Sequence, residues 1–229
     1  MDFINCKTIL KRGDDTLGYK AVLFDLDGTL IDTSDLIFRS FEYALDTVLH
    51  TQIPREELLW TFGRPLEQIM RTLGGDKAEE LLTAFRTYSI GHETDITLFP
   101  QVKETLKYLR THGIKTAIVT SRIHPSTMRD LEILQLDTAL FDTIITPEST
   151  VEHKPHPAPA LKAMELLGVT PEETIMIGDS VHDLQCGREA GCHTAFVQYS
   201  MVPQEELRAQ NPDYSVASLS DLIDILNFK

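Results

Sequence analysis

Cysteine is scarce in this chain of 229 residues, which contains three of them, Cys6, Cys186 and Cys192. An odd number of cysteines without a C-x-x-C pair is neither a disulfide framework nor a typical zinc site. Disulfides accumulate in oxidising compartments, so this composition favours a reducing one, and we expect a cytoplasmic protein.

Long apolar stretches are also missing from the sequence. No run approaches the roughly 20 apolar residues that span a bilayer. The opening residues, MDFINCKTILKRGDD, do not contain the apolar centre of a signal peptide. We therefore expect no membrane partner.

Positive charge is the third shortage. Lysine and arginine number 21 against 35 aspartates and glutamates, which gives a formal net charge of −14. Such a chain repels the phosphates of nucleic acids, so we expect no nucleic-acid partner. An anionic small molecule stays possible, because a bound metal ion reverses the field locally. Hydrophobic residues at 42% and charged residues at 24% are otherwise typical of a globular protein.

Short apolar runs recur along the chain and alternate with helical patterns. These runs occupy residues 21–26, 115–120, 143–146, 174–178 and 194–198. Strands that are buried on both faces give runs of this kind. Strands that alternate with helices build parallel sheets with right-handed crossovers, so we predict an α/β fold with a Rossmann-like doubly wound parallel sheet.

One stretch, from Thr33 to Glu93, contains helical patterns and no convincing strand. Helix starts are indicated at Thr33 or Ser34, at Pro54, at Pro65 and at Asp76. An all-helical insert on two linkers is typical of a second, small domain. We divide the chain into an N-terminal extension (1–18), an α/β core (19–31 and 98–229) and a helical cap (32–97). Ligands of open α/β sheets bind at the carboxyl ends of strands, so this cap is expected to cover the site.

Two carboxylates, Asp25 and Asp27, come at the end of the first predicted strand. Two such groups repel each other unless a divalent cation lies between them. With a cation, Asp25 could attack phosphorus and Asp27 could donate a proton to the leaving oxygen. Gly28 would let the backbone approach a phosphate closely. The alternative is an acidic turn that simply closes a strand.

Other predicted strand ends carry groups that suit the same chemistry. The Thr120 hydroxyl and the Ser121 amide could hold a phosphate oxygen, although a simple helix cap is the alternative. Lys154, stiffened by Pro155 and Pro157, could neutralise a carboxylate and a phosphate together, although a solvated lysine is the stronger interpretation of a lone lysine.

Two further carboxylates, Asp179 and Asp183, follow the strand at residues 174–178. Asp179 is placed to bind Mg²⁺, which prefers oxygen ligands. Asp183 lies one helical turn later and can face the same point, although its alternative role is favourable placement near a helix N-terminus. Each signal alone is weak evidence. Together, however, the strand ends supply a nucleophile, a hydroxyl, a cation and a metal ligand, and this combination is specific because one reaction needs all four.

Four segments, FDLDGTLIDT, VTS, HKP and IGDSVHD, resemble the signature segments of the haloacid dehalogenase superfamily of phosphohydrolases. The resemblance spans residues 20–226, and the helical insert is similar to the small cap of the superfamily. It implies that Asp25 is the nucleophile that forms a phospho-aspartate, and that Asp27 is first a general acid and then a general base.

The resemblance also implies a cofactor and its ligands. Mg²⁺ would be held by the Asp25 carboxylate, the Asp27 backbone carbonyl and Asp179, with Asp183 in support. Thr120 and Lys154 would bind the transferring phosphoryl group. The second acidic residue of the first segment is present, as in phosphatases, whereas true dehalogenases lack it.

Within the superfamily, the sequence is most similar to phosphoglycolate phosphatases and the neighbouring pyrophosphatase group. This similarity rests on IDTSDLIFRSF, on the loop at residues 62–66 and on GDSVHDLQCGREAGC. Beta-phosphoglucomutase is a related alternative, although its cap helix usually has a histidine where this chain has Ile37. For the cap, we select Arg64 as the residue that binds substrate, with Arg39 as a weaker candidate.

These expectations combine into one functional prediction. The chain should be a Mg²⁺-dependent phosphatase of a small phosphorylated metabolite, with phosphoglycolate or pyrophosphate favoured, working as a monomer or a homodimer. A mutase-like phosphotransferase is the first alternative. A phospho-receiver or a regulatory protein that is not catalytic is the second.

Overall fold

Residues 18–226 of the chain are described by a computed structural model. The predicted N-terminal extension, except for Gly18, lies outside the described residues. The strands are β1 (Ala21–Phe24), β2 (Ile31–Asp32), β3 (Thr97–Leu98), β4 (Lys115–Val119), β5 (Thr143–Ile145), β6 (Thr174–Gly178), β7 (His193–Val197) and β8 (Tyr214–Val216).

Ten α-helices lie between or after these strands in the described part of the chain. They are α1 (Ser34–Ala44), α2 (Arg55–Leu58), α3 (Leu66–Gly74), α4 (Ala78–Gly91), α5 (Val102–Thr111), α6 (His124–Ile133), α7 (Ala158–Leu167), α8 (Val181–Glu189), α9 (Gln204–Arg208) and α10 (Asp221–Ile225). No helix within residues 18–226 is long and apolar enough to cross a membrane.

Six parallel strands form the main sheet in the order β5-β4-β1-β6-β7-β8. Strand β1 has neighbours on both sides, and all four of its residues are buried. Val22 and Phe24 pack into the apolar cluster on one face, whereas Ala21 and Leu23 pack into the cluster on the other. Helices therefore cover both faces, and the predicted doubly wound α/β fold is confirmed.

The helices between β2 and β3 pack around an apolar cluster of their own. This cluster is built from Phe38, Phe41, Leu45, Leu58, Ile69, Met70, Leu81 and Phe85, among others. Helices α2 and α3 begin directly after Pro54 and Pro65, as predicted, and Asp76 lies in a short 3₁₀ turn that leads into α4. The described residues from Thr33 to Glu93 form no strand.

The start of α1 differs from the prediction in its capping group. The helix begins at Ser34, but neither Thr33 nor Ser34 caps it with its side chain. Instead, one carboxylate oxygen of Asp32 accepts hydrogen bonds from the Ser34 amide (3.0 Å) and hydroxyl (2.5 Å). Thr33 is turned toward Asp27, to whose carboxylate its hydroxyl donates.

Three strands were not predicted. Strands β2 and β3 pair with each other antiparallel through two residues each and connect the main sheet with the helical insert. Strand β8 forms the edge of the main sheet, and only one of its three residues is fully buried. Segments this short show no periodicity that a sequence pattern could reveal.

Candidate active site

The carboxyl ends of β1, β4 and β6 meet at one cavity of about 720 Å³. Asp25, Asp27 and Gly28 reach it from β1, and Thr120 and Ser121 reach it from β4. Lys154, from the loop after β5, and Asp179, directly after β6, complete the core side. The structure thus brings together predicted residues that are up to 154 positions apart in the chain.

Lys154 is buried at the centre of this cluster, with 5% of its side chain exposed. Its ammonium group donates to Asp25 Oδ1 (2.6 Å), to Asp183 Oδ1 (2.6 Å) and to the Val119 carbonyl (3.0 Å). Three donors have three acceptors, so the side chain has one defined position. The alternative interpretation of Lys154 as a solvated lysine is wrong.

Asp183 is fully buried and is placed by the start of α8. Its Oδ2 accepts hydrogen bonds from the Ser180 amide (3.0 Å) and hydroxyl (2.7 Å), while its Oδ1 faces Lys154. Ser180 in return accepts from the Asp183 amide (3.4 Å), which completes a capping box. Asp183 therefore lies near a helix N-terminus, which was its alternative role, and it also faces the cluster.

Asp179 approaches the backbone of the β1 loop very closely. Gly28 has a φ of +75°, and a Cβ placed there would lie 2.1 Å from Asp179 Oδ2. The carbonyl of Asp179 accepts a hydrogen bond from the Ser200 hydroxyl (2.6 Å). Glycine at position 28 is therefore required by both the left-handed backbone and the neighbouring carboxylate.

The electrostatics of the cluster are dominated by crowded carboxylates. Burial, and then the Asp183 carboxylate, raise the pKa of Asp25 to about 7, against the lowering effect of Lys154. Burial, followed by Asp25, raises the pKa of Asp179 well above its usual range. Burial would lower the pKa of Lys154, but Asp183 and Asp25 outweigh it and raise that pKa.

The donor set of this cluster fits a hard divalent cation. Oxygen atoms of Asp25, Asp179 and Asp183 lie within 4.8 Å of one another. Carboxylates at this density repel one another unless positive charge is added, and Lys154 supplies one charge against three. Oxygen ligands of this kind are those that Mg²⁺ prefers.

Asp27 forms an ion pair that the sequence analysis missed. Its carboxylate accepts hydrogen bonds from Arg122 Nε (3.0 Å to Oδ2) and Nη2 (2.6 Å to Oδ1). Burial would raise the pKa of Asp27, but the Arg122 guanidinium outweighs burial and holds that pKa below its usual range. Arg122 comes two residues after Thr120 in the VTSR segment, so its place at a strand end was the available signal.

The helical insert covers the cavity with the loop at residues 62–66. Arg64 is exposed there and lines the cavity, and its Nε donates to the Trp60 carbonyl (2.8 Å). Arg39 pairs with Asp35 (2.8 Å) and Asp95 (3.7 Å) and lines a different cleft, so the structure does not bring this weaker candidate to the site.

Several residues that line the cavity were not chosen from the sequence. His153, His182 and Tyr199 belong to this group. Ile37 also lines the cavity, at the position where the mutase alternative expects a histidine. Their side chains are provided by loops and helix starts, where sequence patterns carry little information about direction.

Carboxylates at strand ends, a buried lysine and a covering helical insert define the class of this protein: it is an α/β enzyme with a capped site. The chain belongs to the haloacid dehalogenase-like hydrolase family, because the model of that family matches residues 22–197. The family resemblance seen in the sequence is therefore confirmed.

Individual relatives agree with this assignment. The chain is 38% identical over 209 residues to the pyrophosphatase PpaX of Halalkalibacterium halodurans, which covers 91% of this chain and 97% of the relative. A haloacid dehalogenase-like hydrolase from Streptococcus pneumoniae superposes with a TM-score of 0.81 at 26% identity, covering 93% and 100% of the two chains. A structure described as a predicted phosphoglycolate phosphatase, from Haemophilus somnus, has a TM-score of 0.81 at 25% identity and covers 92% and 99%.

Proposed function

We propose that this protein is a Mg²⁺-dependent phosphohydrolase of a small phosphorylated metabolite that works through a phospho-aspartate intermediate. The observation that carries the proposal is the position of Lys154, whose ammonium lies 2.6 Å from Asp25 Oδ1 inside the acidic cluster. A carboxylate held beside a fixed cation at a strand end can attack an anionic phosphorus centre, because the lysine offsets the repulsion.

The reaction has two steps on this proposal. An Asp25 oxygen forms a bond to phosphorus while the bond between phosphorus and the leaving oxygen breaks. Arg122 lowers the pKa of Asp27 in the free protein, so Asp27 has to take up a proton when the anionic substrate binds, and it then gives that proton to the leaving oxygen. Asp27 then takes a proton from water, which attacks phosphorus and releases phosphate and the Asp25 carboxylate. Lys154 and Thr120 hold the transferring oxygens, and the Ser121 amide and Gly28 border them.

Asp25, Asp179 and the Asp27 backbone carbonyl would hold Mg²⁺, with Asp183 in support through Lys154. When bound, the ion supplies Lewis-acid stabilisation of the phosphoryl oxygens. Asp183 has both oxygens engaged by Ser180 and Lys154, so its contribution is to fix the lysine beside the nucleophile.

The substrate is proposed to carry a second anionic group. Pyrophosphate and phosphoglycolate, the substrates named for the relatives, both have one within a few bonds of the transferred phosphorus. Arg64 is an exposed guanidinium on the cavity wall opposite the core, and guanidinium binds carboxylate or phosphate oxygens in pairs. Ile37 on the same wall argues against the mutase alternative, and the enclosing cap argues against a phospho-receiver.

We also propose that the division of the chain into a core (19–31 and 98–229) and a cap (32–97) is functional. We expect a monomer or a homodimer, because the helical insert of the chain itself covers the cavity. A cytoplasmic location remains our expectation from composition alone.

Phosphate release from a panel of pyrophosphate, phosphoglycolate, sugar phosphates and nucleotides tests the proposal. Wild-type protein should turn over at least one of these with MgCl₂ and none with excess EDTA. Asp25→Asn should lower kcat by roughly 10³-fold or more, whereas the exposed cap residue Asp76, changed to Asn, should leave it unaltered. Full activity of Asp25→Asn, or turnover that ignores EDTA, would contradict the proposal.

Arg64→Ala tests the proposed contact with the second anionic group. It should raise KM for phosphoglycolate or pyrophosphate by roughly 10- to 100-fold, as loss of a charge-assisted hydrogen bond does. The KM for p-nitrophenyl phosphate, which has no second anion, should change little. Arg39→Ala is the matched control, and an equal effect of both variants would remove Arg64 from the site.

A further inference from the structure

The Arg122 guanidinium joins two carboxylates that come from different elements. Two of its nitrogens bind Asp27 on the β1 loop, and the third, Nη1, lies 3.0 Å from Asp130 Oδ2 on α6. Asp130 is almost completely buried, with 4% of its side chain exposed, whereas 29% of Arg122 and 31% of Asp27 are exposed. The arginine therefore connects a fixed, buried carboxylate to one that borders the cavity.

The backbone of Arg122 is held as firmly as its side chain. Its amide donates to Thr120 Oγ1 (3.0 Å), and its carbonyl accepts from the Thr127 hydroxyl (3.3 Å) on the first turn of α6. Both oxygens of Asp27 are engaged by one planar group, so this carboxylate cannot turn without breaking hydrogen bonds.

We propose that Arg122, held by Asp130, is a positioning residue that keeps the Asp27 carboxylate directed toward the leaving oxygen. This inference rests on the proposed function. Asp27 needs such support, because it must reach the same place twice, once as a donor to the leaving oxygen and once as an acceptor from water. The Thr33 hydroxyl also donates to this carboxylate. The chain neighbours of Asp27, Leu26 and Gly28, give its side chain no such contact, since one faces the core and the other has no side chain.

The leaving group decides how much the reaction depends on this orientation. An alkoxide leaves only if it receives a proton as its bond to phosphorus breaks, so Asp27 must be correctly directed. A p-nitrophenolate ion leaves without that proton, because its negative charge is already stable. Formation of the phospho-aspartate from p-nitrophenyl phosphate should therefore be insensitive to Arg122, whereas its formation from phosphoglycolate should be sensitive.

The test compares Arg122→Ala with wild type on these two substrates in the presence of MgCl₂. For phosphoglycolate, or another alkyl phosphate that the wild type turns over, kcat should fall by roughly 10- to 100-fold with KM within about 3-fold. For p-nitrophenyl phosphate, the rate of the nitrophenolate burst in rapid mixing should stay within about 3-fold of wild type. The later, steady rate should fall, because hydrolysis of the phospho-aspartate also uses Asp27.

Three results would overturn the inference. An equal loss in the nitrophenolate burst would mean that Arg122 supports the nucleophile or the fold in general. A rise in KM of more than about 10-fold with unchanged kcat would make Arg122 a substrate ligand. Unchanged kinetics for both substrates would mean that the ion pair has no role in the reaction.

Two further measurements separate positioning from stability. Guanidinium chloride at millimolar concentration should partly restore turnover of phosphoglycolate by Arg122→Ala, since the free ion can occupy the space beside Asp27. Asp130→Asn keeps the shape of the side chain that holds Arg122. It should also lower kcat for phosphoglycolate without slowing the nitrophenolate burst, but by a smaller factor. The inference therefore stays testable if Arg122→Ala does not fold. Arg129→Ala removes a partly exposed ion pair between Arg129 on α6 and Glu93, and it should leave the turnover of both substrates unaffected.

Failure of this inference can be distinguished from failure of the proposed function. If wild-type protein releases phosphate from no compound in the panel, the proposed function and the positioning role of Arg122 are both wrong. If the wild type is active and Asp25→Asn is not, but Arg122→Ala shows no substrate split, the proposed function stands and the positioning role is wrong.

Discussion

The contact between Gly28 and Asp179 shows how one missing side chain shapes the site. The loop after β1 can pass beside the carboxylate only because position 28 has no Cβ. The same residue has a positive φ, which other residue types adopt at a cost. The effect of the positive φ can be separated from the effect of the close contact with Asp179, because other glycines in the chain have a positive φ and no neighbour close to a Cβ.

Gly28→Ala should therefore damage the proposed metal site more than the fold. Its Cβ would lie 2.1 Å from Asp179 Oδ2, so the carboxylate has to move, and we expect a loss of Mg²⁺ affinity of roughly 10-fold or more. Gly113→Ala is the matched control, with a φ of +74° and nothing within 4 Å of its Cβ. Titration of activity with MgCl₂ measures the effect, and equal shifts in both variants would contradict it.

Most of the residues in the site could be predicted, because they follow apolar runs directly. Asp25 and Asp179 extend buried strands, so the parallel sheet alone brings them to one edge. Lys154 could be suggested from its flanking prolines, but a solvated lysine is the stronger interpretation until the family resemblance is considered, since a loop lysine has no pattern. The pair formed by Arg122 and Asp27 spans 95 residues, and its geometry depends on how α6 packs, which no local pattern encodes.

At the level of elements, the loop at residues 62–66 connects the cap to the core through Phe62. This half-buried ring packs against the cap cluster and also against a small core cluster of Leu184, Phe196, Val202 and Leu207. Gly63, next to it, approaches Val202 so closely that a Cβ would lie 3.1 Å from that side chain. The loop that carries Arg64 is thus fixed against the core by apolar contact.

Phe62→Ala should weaken substrate binding more than it weakens the fold. Loss of the ring removes apolar area that holds the loop over the cavity, so we expect KM to rise by roughly 3- to 10-fold with a small change in Tm. Leu73→Ala, in α3 within the same cap cluster, should lower Tm without changing KM. An unchanged KM in Phe62→Ala would show that the loop is held by other contacts.

Strands were predictable where both of their faces are buried, and helices were predictable where buried residues recur at helical spacing. Strands β1, β4 and β6 are fully or almost fully buried and gave clear apolar runs. Helix α1 gave helical spacing, whereas α2, α3 and α4 were indicated by residues at their starts. The capping of α1 by Asp32 was missed, because Asp32 precedes two residues, Thr33 and Ser34, that are equally good caps by type. Asp32 provides the capping oxygen while the Thr33 hydroxyl donates to Asp27, a contact within the site.

Across the whole molecule, acidic residues outnumber basic ones, and some of the acidic residues meet in the site. The net charge is −14, and three carboxylates meet in one buried cluster beside a single lysine. Burial and mutual repulsion raise the pKa of Asp25 and of Asp179, which means that the cluster costs stability when it is fully ionised. A ligand that adds positive charge should therefore stabilise the folded protein.

Mg²⁺ should raise the thermal stability of the folded chain. A ligand at about 100 times its Kd adds about 2.7 kcal/mol when it binds the folded state alone. Differential scanning fluorimetry with MgCl₂, compared with NaCl of equal ionic strength, should show an increase in Tm for wild type and for Asp76→Asn. Asp179→Asn should lose most of it, and a wild-type Tm that does not respond would contradict the metal assignment.

The two chain crossings between core and cap are not independent threads, because β2 and β3 are hydrogen-bonded to each other. The helical insert is consequently joined to the main sheet by one hydrogen-bonded ribbon rather than by two separate linkers. A substitution that breaks the pairing in either of these two-residue strands would therefore act on both connections at once.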